Sequence, residues 1–358
     1  MRLERRRDLL ANNTLKNLKN ATLYVTLPDG KTRRASFYLA MEEYVARHAP
    51  AGDYMLCWQV EPSVVFGRNQ VMAAEVNTAY CQEHGIGMFR RKSGGGCIYA
   101  DRGNVMTAFI TDGDNVGLTF NRYLMMLVLV LRQMGIPAQA TGRNDIEVDG
   151  RKVSGSAFYH LPGRSIVHGT MLYDTDMDNM VRALTPPEGK LQSKGVESVR
   201  RRIGLLKGYT ATGTGGIVES IRRTLCSGEY AFTSDDVAKI EALEREEYLA
   251  PAFITGKDPG HTLVRSRRID GVGGLEAYVE AKGGVIKSVR LTGDFFATGD
   301  VETMLGRLNG VKMNREAVSA ALPKNVEEVI MNLNKDELVS LIAGSLPRPL
   351  QGGEHENA

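Results

Sequence analysis

Between Met55 and Leu172 the chain alternates short apolar, β-branched runs with glycine, asparagine and aspartate punctuation. The runs are Met55 to Val60, Ser63 to Phe66, Met88 to Arg91, Cys97 to Tyr99, Val105 to Ile110, Ala138 to Val148, Lys152 to Tyr159 and Ser165 to Leu172. Short runs bounded by turn residues predict strands. Asp149-Gly150, between two alternating apolar stretches, predicts a tight hairpin. One long helical stretch, Leu118 to Met134, interrupts the series, with Thr119 as its expected cap and Gly135 and Pro137 as its stop. Ser36 to Val45 has helical apolar spacing with Ser36 as expected cap, and Val76 to His84 reads as a shorter helix. The result is an α+β (mixed α/β) fold, with mixed sheets flanked by helices and no internal repeat.

A chain of 358 residues exceeds one ordinary domain, and a prior of about 150 residues per domain favours two cores. Pro251, after the charge-laced helical stretch Asp235 to Tyr248, is the natural boundary. Beyond it come strand runs Gly274 to Ala281 and Gly284 to Thr292, the Asp294-Phe295-Phe296 turn, and helical stretches near Asp300 to Leu308 and Asn325 to Ile342. Together they predict a small α+β domain. We divide the chain into a basic arm (1–34), a main domain (35–249), a small domain (250–346) and a polar tail read as disordered (347–358). Thr185 to Gly216 is poor in apolar residues and rich in Gly, Pro, Lys and Arg, so it is expected to be a long functional surface segment.

The formal charge of +3 argues against both an acidic solvating protein and a strongly cationic nucleic-acid coat. Charge is concentrated at the start, where the first 34 residues hold nine basic side chains against three acidic ones. Cys57, Cys81, Cys97 and Cys226 are widely spaced with no C-x-x-C pair, so neither a disulfide framework nor a zinc knuckle is expected. That leaves a reduced, cytoplasmic setting. The longest apolar run, Tyr123 to Leu131, has nine residues, far below the roughly 20 needed to span a bilayer. No membrane partner is expected, and the basic start lacks a signal peptide's apolar core.

Chemistry concentrates in three constellations. Arg90-Arg91-Lys92-Ser93-Gly94-Gly95-Gly96 combines glycines, which let backbone N–H groups approach an anion, with cations to neutralise it. It is no Walker loop, since G-x-x-x-x-G-K-[ST] occurs nowhere. Taken alone, a tight turn with solvated basic flanks is an equal reading. The second, Gly142-Arg143-Asn144-Asp145 followed by Gly150-Arg151-Lys152-Val153-Ser154-Gly155-Ser156-Ala157, sets amide, carboxylate and ammonium groups across a hairpin. Lysine is a compact mobile cation suited to charge that moves from carboxylate to phosphorane, although an exposed hairpin lysine is the commoner case. The third, His168-Gly169-Thr170 with Lys190-Leu191 and Lys194 to Arg202, supplies a histidine and a basic loop able to close over a nucleotide. Neither a G-x-S-x-G elbow nor an H-E-x-x-H helix is present, which lowers the weight of hydrolase classes.

In order and spacing these motifs, with Asp101-Arg102-Gly103-Asn104 and Lys194-Gly195-Val196-Glu197-Ser198-Val199-Arg200, resemble the lipoate-protein ligases. Weaker likeness runs from Ser36 through Val64 to Asn69 and on to Tyr248, and the last hundred residues resemble the family's accessory domain. The resemblance implies a biotin-ligase-like α/β fold and a two-step reaction. Lipoate attacks the α-phosphate of Mg-ATP to give lipoyl adenylate, which acylates a lysine of an apo lipoyl domain. The acceptors it implies are 2-oxoacid dehydrogenase E2 subunits and the glycine-cleavage H protein. It also implies that Lys152 is catalytic, contacting the lipoyl carbonyl and the α-phosphate. Substrate and ATP contacts would come from Arg91, Ser93, Gly95, the backbone of Gly96, Cys97, Ile98 and Tyr99, and Asn104, Asn144, Asp145, Ser156, Ala157 and His168, with Asp145 also facing Mg2+. Lys194, Gly195, Ser198 and Arg200 would belong to the loop that closes over the adenylate. One departure stands out: the family has a histidine where this chain has Ala100.

Three other readings compete. An octanoyl or lipoyl transferase would need an activated cysteine, for which Cys97 is the one candidate in the motif region. A biotin ligase shares the Asn-Asp and lysine logic but has a different glycine-arginine loop. A nucleic-acid-binding protein would use the basic start, yet no helix-turn-helix or aromatic-interleaved patch supports it, and no nucleic-acid partner is expected.

Overall fold

The computed structural model describes residues 22–113, 115–141, 144–184, 202–256 and 260–344. The chain forms two compact units, Met1–Asp258 with Gly293–Thr298, and Pro259–Thr292 with the remainder. In the large unit the strands are β1 (Thr22–Thr26), β2 (Asp53–Trp58), β3 (Ser63–Phe66), β4 (Gly87–Arg90), β5 (Ile98–Ala100), β6 (Asn104–Asp112), β7 (Ala138–Thr141), β8 (Asp145–Val148), β9 (Arg151–Leu161), β10 (Arg164–Leu172) and β11 (Gly228–Ala231). Eight form one sheet in the order β11-β1-β2-β6-β10-β9-β8-β7, and β4-β3-β5 form a second. β1 runs parallel to β11 and β2, and β2, β6, β10, β9, β8 and β7 pair antiparallel. The fold is mixed α+β, as expected. Residues 22–34 differ from the basic arm anticipated for them. Thr22, Tyr24 and Val25 are buried in β1, because Thr-Leu-Tyr-Val-Thr is strand-forming whatever the charge around it.

Four helices of this unit matter for the site: α1 (Ala35–His48), α2 (Val116–Gln133), α3 (Gly213–Leu225) and α4 (Ser234–Leu243). α1 is buried from Ala35 to Ala46. It ends at Ala49, whose extended ψ of 147° is the conformation a residue before proline prefers. It packs with Leu56, Trp58, Met106, Ala108, Ile110 and Ile166, which share one face of the sheet because pairing places Leu56 beside Ala108, Ala108 beside His168, and His168 beside Ala157. α2 lies on the other face, where the Tyr123 hydroxyl meets Thr107 Oγ1 at 2.6 Å. Its cap is Asn115, which accepts from the Leu118 N–H at 3.0 Å, rather than Thr119, which is buried a turn further in. Ser36 likewise does not cap α1 but bonds Glu244. Past α4 the helix widens into one π-turn, Glu244–Tyr248.

The small unit holds β12 (Leu263–Ile269), β13 (Gly273–Lys282) and β14 (Val285–Gly293) in that order, with α5 (Arg315–Ala321) and α6 (Lys335–Ala343). The helical stretch expected over Asn325 to Ile342 is split into a 3-10 turn, Val326–Glu328, and α6. α6 carries its own N-cap, Asn334, whose side chain accepts from the Asp336 N–H. The tail 347–358 lies outside the described residues.

Candidate active site

The glycine loop joins β4 to β5 across the end of β3, and its cations do not face an open anion site. Arg90 donates through Nη1 to the carbonyls of Gly67, Arg68 and Gln70 at 2.8–3.1 Å and lies over the Phe66 ring. Arg91, 5% exposed, donates to Ser93 Oγ, Val65 O, Gly94 O and Gly96 O at 2.7–2.9 Å. Loss of solvent lowers its pKa to about 10. Lys92 pairs with Glu43 at 2.7 Å and with Glu247. A buried cation must find oxygen somewhere, and the carbonyls of its own loop are nearest. From sequence these charges had two equal readings, neutralising an anion or flanking a turn in water, and neither includes bonds to the loop's own carbonyls. The donors the loop can offer are main-chain N–H groups. Since C=O and N–H of a trans peptide point oppositely, holding the Gly96 carbonyl on Arg91 turns the Cys97 N–H away from the guanidinium.

The Lys152 hairpin, expected at Asp-Gly, closes at Asp149 (φ 49°) and Gly150 (φ 72°), the two positive values of a type I′ turn. Its register then slips: Ser154 pairs with Ile146 but Lys152 pairs with Glu147, leaving Val153 as an extra residue in β9. Such a bulge re-aims the side chains beyond it. Lys152 therefore shares a face with Gly155 and Asp145 instead of Ser154. Its Nζ lies 2.8 Å from Asp145 Oδ1, and its Cε and Nζ fold over Gly155, within 2.8 Å of where a Cβ would stand. Asn144 completes the hairpin by donating Nδ2 to Ser156 O at 2.8 Å while the Ser156 N–H bonds Asn144 O. Chain arriving at Ile203 bridges Lys152, with the Gly204 N–H on Lys152 O at 2.9 Å.

On the same face His168, 6% exposed, presents Nε2 to Ser93 Oγ at 2.7 Å and Nδ1 to Glu42 Oε2 at 2.6 Å. Glu42 and its neighbour Glu43 are both 0% exposed. Glu42 also accepts from Trp58 Nε1 at 3.1 Å, and Glu43 accepts from the Tyr248 hydroxyl at 2.6 Å. Burial works to raise the pKa of Glu43, but bonds from Lys92, Tyr248 and Arg47 outweigh it and hold the carboxylate below its ordinary value.

A family model for the lipoyl protein ligase A/B catalytic domain matches residues 34–223, and one for the bacterial lipoate protein ligase C-terminus matches residues 258–342. The chain belongs to the lipoate-protein ligase family. It is 35% identical to lipoate-protein ligase LplJ of Bacillus subtilis over 317 residues, covering 85% of this chain and 95% of that protein. Lipoate--protein ligase 1 of Staphylococcus aureus is 32% identical over 316 residues, with the same shares. Among solved structures, LipL1 of P. falciparum in complex with lipoate superposes with a TM-score of 0.73 at 19% identity, over 90% of this chain and 100% of that one. Lipoate-protein ligase A bound with ATP gives 0.56 at 21% identity, over 66% and 98%. A bipartite lipoate protein ligase of Thermoplasma acidophilum, described with its E2 lipoyl domain, gives 0.61 at 22% identity, over 68% and 98%.

Within this ligase the geometry sets Lys152, Asp145, Ala157 and His168 on one face of β8, β9 and β10. Ser93 of the glycine loop sits on His168, and Asn144 stands at the head of β8. The Ser156 side chain lies on the opposite face, beside the Tyr123 hydroxyl. The side chains of Tyr99, expected to act through its backbone, and Asn104 are engaged in the scaffold. The Tyr99 ring belongs to the apolar cluster with Val64 and Phe66. Asn104 spends its amide on Tyr99 O and Thr175 Oγ1. Ala100, in place of the family histidine, is fully buried. Lys194, Gly195, Ser198 and Arg200 lie outside the described residues. Burial raises the thiols of Cys57, Cys81, Cys97 and Cys226, which opposes an acyl-cysteine route.

Sequence reading missed Glu42, Glu43, Trp58 and Tyr248. A signal for the first two was there, because Tyr38 and Ala46 together with Phe37, Leu39, Ala40, Met41, Tyr44 and Val45 widen the apolar surface around α1 until two adjacent acids are flanked by it on both sides.

Proposed function

We propose that the chain condenses lipoate with ATP at Lys152 and then passes the lipoyl group to a lysine of an apo lipoyl domain. In the first step a lipoate carboxylate oxygen bonds the α-phosphorus, the bond to the β-phosphate oxygen breaks, and pyrophosphate leaves. In the second the acceptor amine attacks the lipoyl carbonyl and AMP departs with the electron pair. The observation that carries this reading is the bulge at Val153. It aims a lysine ammonium along Gly155 toward Asp145, beside the His168-anchored glycine loop. An ammonium there can follow negative charge from the carboxylate to the phosphorus without rearrangement of the sheet. The ATP-bound and lipoate-bound relatives support the two substrates. The T. acidophilum pair supports an E2 lipoyl domain as acceptor, and the H protein is the second acceptor we propose.

Asp145 suits magnesium, which takes one or two carboxylates plus substrate phosphates and keeps several waters. Among the described residues no group of three His, Cys, Asp or Glu side chains could form an all-protein cage. Bound there, the ion would neutralise phosphate charge. No described helix is long and apolar enough to cross a membrane. We assign the protein to the cytoplasm, which keeps thiols reduced; its four cysteines are free.

The test is to incubate the protein with apo lipoyl domain, Mg-ATP and lipoate and follow the mass of the domain. Acylation that requires both ATP and lipoate is the expected result. Acylation from an octanoyl carrier protein without ATP, with none from lipoate and ATP, would overturn the reading.

A further inference from the structure

We infer that Glu42 is a positioning residue for lipoate binding, acting through His168 and Ser93 on Arg91, whose guanidinium shapes the glycine loop. The inference rests on the ligase reading above and extends it to a carboxylate on α1 that the motifs do not include.

One assignment of protons gives every donor in the chain of bonds an acceptor. Arg91 has only donors, so Ser93 Oγ must accept its Nε–H at 2.9 Å. We assign the Ser93 proton to His168 Nε2 at 2.7 Å, which places the single N–H proton of the imidazole on Nδ1, facing Glu42 Oε2 at 2.6 Å. The second Glu42 oxygen takes the Trp58 indole N–H at 3.1 Å. Each link is used once, and Glu42, Ser93, Arg91 and His168 are all at least nine-tenths buried. The guanidinium also donates to the main-chain carbonyls of Val65, Gly94 and Gly96. A buried cation is therefore joined to a buried carboxylate through two side chains, one from a strand and one from a loop. Because the fork also grips the Gly94 and Gly96 carbonyls, its orientation sets which way the loop's N–H groups point. Glu43, one residue on, is tied to Lys92 instead, so α1 holds the loop at two separate points.

Glu42→Gln tests this without changing side-chain size. The two neighbours of residue 42, His168 Nδ1–H and Trp58 Nε1–H, both donate, and an amide has one oxygen for them. Either a donor is left facing an amide NH2, or His168 moves its proton to Nε2 and reverses the relay. We expect KM for lipoate to rise about tenfold, the cost of one unsatisfied buried donor, while kcat changes little. Adding Trp58→Phe removes the competing donor and frees the amide oxygen of the substituted side chain for His168. The double variant is expected to recover most of the lipoate KM, an improvement on a second core substitution that packing alone would not give.

Selective 15N labelling of histidine should show the Nδ1–H tautomer of His168 in the wild type and the double variant; in Glu42→Gln that signal should be lost, where the proton moves to Nε2, or shifted, where its acceptor is gone. Should Glu42→Gln fail to fold, Ser93→Ala cuts the relay at its other end and is expected to raise lipoate KM similarly. An unchanged lipoate KM, changes in kcat and KM that merely track a fall in thermal stability, or a double variant no better than the single would overturn the inference. A wild type that cannot ligate lipoate would instead overturn the ligase reading, and the tautomer of His168 would then report the relay by itself.

Discussion

Lys152 is one residue whose chemistry depends on the absence of another side chain. A Cβ at position 155 would stand 2.8 Å from both its Cε and its Nζ. Gly155→Ala should displace the flexible end of Lys152 rather than the backbone. We expect pyrophosphate release to fall about tenfold or more, as misplacement of a reacting group does, with the thermal midpoint nearly unchanged. Lys152→Ala should abolish pyrophosphate release altogether; full activity in that variant would remove Lys152 from the site. Cys97 makes the converse case. With its thiol raised by burial, Cys97→Ser should retain ATP-dependent acylation of the lipoyl domain, whereas a cysteine-thioester enzyme would lose it.

Elements gain their roles here by being buried on more sides than usual. α1 has no solvent stripe from Ala35 to Ala46, so Glu42 and Glu43 must be paired inside, and their partners are the loop and sheet that surround the site. The π-turn Glu244–Tyr248 serves the same end. It sends Glu247 to Lys92, the Tyr248 hydroxyl to Glu43, and Glu244 to Arg34 at 2.6 Å. A carboxylate held below its ordinary pKa contributes stability that is present above the unfolded value and lost as pH falls through the folded one. For Glu43 that loss begins below the ordinary value of 4.5. Glu43→Gln should lower stability at neutral pH by about 3 kcal/mol, because it breaks a buried pair. It should also flatten the acid limb of a stability curve measured by denaturant titration. An acid limb as steep as that of the wild type would show that Glu43 is not the group that titrates.

At the scale of the molecule, the large unit is completed by residues far along the chain. After entering the small unit the chain returns for Gly293–Thr298. There the Phe295 carbonyl accepts the Gly95 N–H at 3.3 Å, and Phe296, 1% exposed, packs against Phe158 with ring centroids 5.4 Å apart. Phe296→Ala should cost about 3 kcal/mol or more, the usual loss for a buried ring, and calorimetry should show it in the unfolding of the large unit. Much of this protein was legible in its sequence. The Asp149-Gly150 hairpin, the order of the short strands and the series of glycine, lysine and histidine motifs that marks the family are all local patterns, fixed by φ preferences and by residue types at fixed spacing. Other features were settled only by the tertiary structure. A guanidinium or ammonium removed from water takes whatever oxygen surrounds it, so Arg90 and Arg91 turned to main-chain carbonyls and Lys92 to Glu43 and Glu247, far away along the chain. An extra residue at Val153 shifts Lys152 to the opposite face without disturbing the alternation that predicts a strand. Motif spacing therefore carried the identity of the chain, while burial and sheet register decided which of its charges remained available for chemistry.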